Sequence, residues 1–170
     1  MARKATLVLF ALCAAFLLGA QEAPRKVLSD RDVDAFIANA HGIEADLDAL
    51  GDRYDQSYAL GALASGGTSS PSSFLEYRNV KVPAEVEAVM KKHGLGDGGF
   101  EKYLVIAIGF GALFMEQTMA VQLQAYADMP EMQAAMTEAR AAAGAMKAAV
   151  HPDDLDLLSR RMADLAAAFE

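Results

Sequence analysis

Along most of the chain, hydrophobic residues recur at intervals of three and four, the spacing of one helix face. Val33, Phe36, Ile37 and Ala40 form the first such stripe. Ser29 stands before it as an N-cap, with Asp32 three residues on in a capping-box-like arrangement. Gly42 offers a C-terminal stop. A second helix is expected to carry Ile43, Leu47, Leu50 and Tyr54 on one side, with Asp46, Asp48, Asp52 and Asp55 around it. Gly51 costs that helix about 1 kcal/mol relative to alanine. Between Ser57 and Val82 the periodicity fades. The stretch 65–73 (SGGTSSPSS) is low in complexity and predicts a flexible loop. Phe74, Leu75, Tyr77, Val80 and Val82 are expected to lay an extended segment onto the core. Pro83 then opens a helix running to His93, ended by Gly94, with Glu87 and Lys91 paired on its surface.

Tyr103 to Met115 reads YLVIAIGFGALFM, with no charged residue. Its apolar positions surround the whole circumference, which predicts a helix buried on several sides. Glu116, Gln117, Gln122 and Gln124 interrupt the pattern before it reaches the ~20 residues a bilayer requires. The expectation is therefore a core helix, with no transmembrane segment in the mature chain. Gly109 and Gly111 mark a place where another helix crosses closely. Pro130 and Pro152 each open a further helix. Met132, Met136, Ala139, Ala143, Met146 and Val150 form the first seam, and Leu155, Leu158, Met162, Leu165 and Phe169 the second. Joined by a tight His151–Pro152 turn, these heptad-like seams predict an antiparallel helical hairpin. Asp156 with Arg160, and Arg160 with Asp164, would lace its outer face. The predicted fold is all-α: one domain of about five or six helices, with a central apolar helix and a C-terminal hairpin.

The N-terminus follows a different pattern, that of an export signal. Arg3 and Lys4 precede an uncharged apolar run from Ala5 to Leu18, and the small residues Gly19 and Ala20 precede Gln21. Cleavage after Ala20 would leave residues 21–170 as a periplasmic or extracellular domain, soluble once the signal is removed. Cys13 does not fit a lipid anchor, because Leu12 stands where lipoprotein processing needs a small residue. It leaves with the signal, and the mature chain then has no thiol for a disulfide, a metal site or a nucleophile.

The signal removes Arg3 and Lys4 but no acid, so the net charge moves from −8 to −10. A surface of that sign repels phosphate backbones, and nucleic acid is not an expected partner. Anionic membrane surfaces are disfavoured for the same reason.

Candidate chemistry is sparse. Asp46, Asp48, Gly51, Asp52 and Asp55 begin like a calcium loop, but Leu50 and Ser57 occupy positions that need oxygen ligands. The run reads as a solvated helix face. Met115, Met119, Met129, Met132 and Met136 have soft thioethers suited to Cu(I), yet their spacing is that of core packing. His41, His93 and His151 each adjoin a predicted helix end, where an imidazolium interacts well with the dipole. No H-x-x-x-H pair and no G-x-S-x-G motif occurs. No catalytic, cofactor-binding or metal residue and no cofactor is assigned.

The segments LSDRDVDAFIANAHGIEADLDAL and VPAEVEAVMKKHGLGDGGFEKYLVIAIGFG resemble small exported all-helical bacterial proteins. The resemblance is one of arrangement, and it implies no activity and no site residue. The expected function is non-enzymatic: an exported helical protein that binds an envelope protein or an apolar ligand in a Met- and Ala-lined bundle. The alternative is an enzyme or metal-binding protein whose site is assembled from distant helices, with His93, Tyr103, Glu116 and His151 as its candidates.

Overall fold

Ser29 sets the start of the first helix. Its backbone is extended (φ −119°, ψ 164°), its hydroxyl accepts from the Asp32 N–H, and the Asp32 carboxylate accepts in return from the Ser29 N–H. This is the complete capping box that the sequence predicts. The computed structural model describes residues 23–51, 82–125 and 130–169. These form six α-helices: α1 (Asp30–Asp48), α2 (Ala84–Lys92), α3 (Gly99–Ala125), α4 (Pro130–Ala148), α5 (Pro152–Arg160) and α6 (Met162–Ala168). There is no strand among the described residues. The proposed export signal with Cys13, the 65–73 loop and most of the extended segment before Val82 lie outside them.

Gly42 does not end a helix. α1 runs straight through it as one 19-residue element, so the two expected helices are one. Val33, Phe36, Ile43 and Leu47 form a continuous buried face on either side of the glycine. The glycine serves contact instead. A Cβ at Gly42 would lie 2.7 Å from Cε1 of His93, whose ring occupies that space.

α2 ends where the sequence predicts, in a Schellman motif. The Gly94 N–H donates to the Lys91 carbonyl and the Leu95 N–H to that of Met90. Gly94 takes φ +86°, a conformation that disfavours side chains, and Met90 and Leu95 are both fully buried.

The other helices assemble around α3. Leu104, Val105, Ile106 and Ile108 are buried in the main core with Phe36, Ile43, Met90 and Leu158, and Ala112 is buried one turn further on. Gly109 is where α5 crosses: an added Cβ would run into Cδ1 of Leu158. At Gly111 the terminal methyl of Met146 on α4 would be 3.1 Å away. Both glycines therefore mark the close crossings expected of them.

Beyond Ala112 the covering thins. Phe114 and Val121 are 51% and 71% exposed. The 23-residue stretch Gly99–Val121, with a mean hydropathy of 1.7 in an 18-residue window, is long and apolar enough to cross a membrane by length and composition. Core helices of helical bundles share that composition, and α3 carries Leu104, Val105, Ile106 and Ile108 of the main core. Glu116 is one acid in a long apolar stretch, and Lys147 pairs with it at 3.0 Å.

The C-terminal helices meet at the His151–Pro152 turn, but α4 and α5 pack chiefly on α3 rather than on each other. α3 and α4 form the long pair, with Met119, Ala143, Met115 and Ala139 in a small second core. The physical reason lies in α3, whose Gly109 and Gly111 admit both neighbours to close range. A break at Arg161 (φ −108°, ψ 12°) divides the second seam into α5 and α6. It also spoils the expected Arg160–Asp164 register, and Asp164 pairs instead with Arg161 at 3.0 Å.

Two carboxylates tie these elements together. Asp154 in the first turn of α5 is fully buried and accepts from the Val27 and Leu28 N–H groups at 2.9 and 3.0 Å. It thereby fixes the segment leading into α1. Asp32 receives the Lys102 ammonium of α3 at 2.8 Å, and that ammonium also donates to the Leu95 carbonyl at 2.8 Å. Burial pushes the Asp32 carboxyl up, but Lys102 and the Ser29 hydroxyl and amide outweigh it and hold it below its ordinary value.

Candidate functional site

The exposed end of α3 is the feature that internal packing does not account for. Phe114, Gln117, Thr118 and Val121 follow at i, i+3, i+4 and i+7, so they share one face of the helix. With Met162, Ala163 and Ala166 of α6 they line an open groove of about 610 Å³. Thr118 spends its hydroxyl on its own helix, donating to the Phe114 carbonyl at 2.9 Å. Among the described residues of the lining, Gln117 is the other polar side chain and none is charged.

A run of aromatic rings connects this groove to the core. Phe114 stacks on Phe110 with centroids 5.7 Å apart, and Phe110 on Phe169 at 4.7 Å. Phe169 meets Phe36 at 5.3 Å, and Phe36 meets Tyr103 at 6.1 Å. These separations are those of favourable aromatic pairs. Phe169 follows directly on α6, so its rings hold α6 beside α3 and fix the width of the groove.

The residues considered for an enzyme or metal site are dispersed. His93 caps α2 and gives its Nε2 to Asp46 at 2.7 Å, while Lys92 reaches the same carboxylate oxygen at 2.6 Å. Those two bonds, Lys92 first, hold the Asp46 carboxyl below its ordinary value. The His93 ring lies against Gly42, so this cluster joins α1 to α2 and opens onto no described cavity. Tyr103 sits between Phe36 and Phe100. Glu116 is about 20 Å further along the same helix, is exposed, and pairs with Lys147. With Met119, Ala120 and Arg140 it lines a separate shallow recess.

His151 does not serve a helix C-terminus. It is the N-cap of α5, and its Nδ1 accepts from the Asp153 N–H at 3.1 Å. His41 lies inside α1 and is exposed, because that helix continues past Gly42. The four candidates therefore hold separate posts, and none of them lines the groove. Among the described residues no three His, Cys, Asp or Glu side chains group as metal ligands. Of the acidic run, Asp46 is engaged and Asp48 is exposed, while Asp52 and Asp55 lie outside the described residues.

The methionines divide similarly. Met90 and Met119 are buried in the cores, and Met162 lines the groove. Sequence reasoning missed Phe114 and Val121 as surface residues, having placed the first in a run expected to be buried on several sides. The available signal was the change from an all-round apolar pattern before Leu113 to a one-sided one after it. No protein-family model, curated protein or solved structure matches this chain.

Proposed function

We propose that this protein is an exported, non-catalytic binding protein whose working surface is the apolar groove between α3 and α6. The observation that carries this reading is the exposure of Phe114 and Val121 on a helix otherwise occupied by core packing. Covering Phe114 and Val121 removes apolar surface from water, which favours a partner at that place. The dispersal of His93, Tyr103, Glu116 and His151 supports binding over chemistry, since general acid–base catalysis needs groups within hydrogen-bond reach of one reacting centre. Export rests on the N-terminal pattern of Arg3, Lys4, the Ala5–Leu18 run and Ala20. α3 acts in this reading as the bundle's central helix, with its exposed end facing the partner.

The test uses the uncharged apolar dye N-phenylnaphthylamine. Its fluorescence is expected to rise saturably with the protein and to weaken at least threefold in affinity in Val121→Asn, a loss of about 0.7 kcal/mol. No saturable signal, or an unchanged affinity in that variant, would contradict the reading.

A further inference from the structure

Building on that reading of the groove, we infer that its occupant is a basic amphipathic helix of another protein, with an apolar stripe at i, i+3 or i+4, and i+7. The shape of the site selects a helix over a small molecule. One wall is itself a stripe on a straight helix, from Phe114 to Val121, which suits the ridges of a second helix laid alongside. The opposite wall offers Ala163 and Ala166, side chains small enough for a neighbouring backbone to approach. The groove is open along its length, whereas small-ligand sites enclose most of their ligand. The Thr118 hydroxyl is spent on its own backbone, and among the described residues the lining offers no charge to orient a head group.

Charge selects the sign of the partner. The chain carries −8 overall. Beside the groove, Arg161 is shared by two carboxylates, Asp34 at 2.6 Å and Asp164 at 3.0 Å, which leaves that end acidic. The last turn of α3 contains no basic residue, so none of its own side chains offsets the negative pole of its dipole, one turn beyond Val121. On the α4 side the Lys147 ammonium is already paired with Glu116, while Arg140 adds a cation beside Ala120, so the acidic part of the rim is its Met162 end. Lysine or arginine flanking the partner's apolar stripe would meet complementary potential at this rim. A second copy of this chain would bring a further −8 against it, and is disfavoured on the same grounds.

The experiment uses synthetic helical peptides of about 18 residues, long enough to hold a helix. Two share one leucine stripe, one with a lysine polar face and the other with a glutamate face; a third carries the lysines with the stripe scrambled. Fluorescence anisotropy should show the lysine-faced peptide binding at least about tenfold more tightly than its glutamate twin at low salt, with the gap narrowing as salt screens the rim. Ala163→Trp, at an exposed position, should fill the groove and abolish that binding while circular dichroism stays unchanged. Equal affinity for the two striped peptides overturns the proposal but leaves the dye-binding groove standing. Equal binding of the scrambled peptide, or binding that survives Ala163→Trp, places attraction in bulk charge and overturns it too. A dimer seen by sedimentation and dissolved by Val121→Asn makes a second copy the occupant, with the same consequence.

Discussion

Asp32 and Asp154 show how unequally single residues announce themselves. Asp32 was legible, because a serine followed three positions later by an acid before an apolar stripe is a helix-start pattern. Its second partner, Lys102, was not, because the pair spans 70 residues and depends on the packing of α3 against α1. Asp154 gives no such signal, because the fold turns it inward onto two backbone amides 126 and 127 residues away. At Asp32 the consequence is a pH dependence. Its folded pKa lies below the ordinary value, so its stabilising contribution is complete above about pH 4 and is lost as pH falls through the lowered folded value. Asp32→Asn is expected to cost about 2 kcal/mol near neutral pH, the scale of a hydrogen bond to a charged group. Urea unfolding at pH 7 and pH 3 checks this: the gap between wild type and variant should be wide at the first and narrower at the second. An equal gap at both would mean that the Lys102 pair is not its source.

At the scale of elements, glycine was the least certain signal. Gly94 behaves as its position predicts, ending α2 in the left-handed conformation. Gly42 has the same local appearance, a glycine after histidine at the end of an apolar stripe, yet it lies within a helix. The difference is tertiary, since His93 from another element fills the space that a side chain would need. The pairing of α4 was obscured similarly: its seam suits any apolar neighbour, and α3 is the larger apolar surface. These close approaches predict opposite responses to one substitution. Gly109→Ala would drive a methyl into Leu158 and is expected to destabilise by about 1–3 kcal/mol. Gly144→Ala on α4, where nothing lies within 4 Å, is expected to stabilise by up to about 1 kcal/mol through helix propensity. Thermal unfolding of the two variants reads both signs, and a destabilised Gly144→Ala or a neutral Gly109→Ala would contradict the packing described for α3.

Across the whole molecule, the all-α bundle and its central helix were legible because hydrophobic periodicity is a local property of the chain. The groove was not, because it depends on where the covering of α3 stops and on how Phe169 draws α6 alongside. Periodicity alone does not tell an apolar stripe that meets a helix from one that meets water. That distinction is the centre of the functional account, in which the protein works through a surface its own core leaves uncovered, while its histidines and carboxylates hold helices in place. The most direct test is a nitrogen–proton correlation spectrum of the protein titrated with the lysine-faced peptide. The account predicts shifts concentrated on residues 114–121 and 162–166, with little change at Asp46 and His93. Shifts centred on Asp46 and His93, or on Glu116 and Arg140, would contradict it.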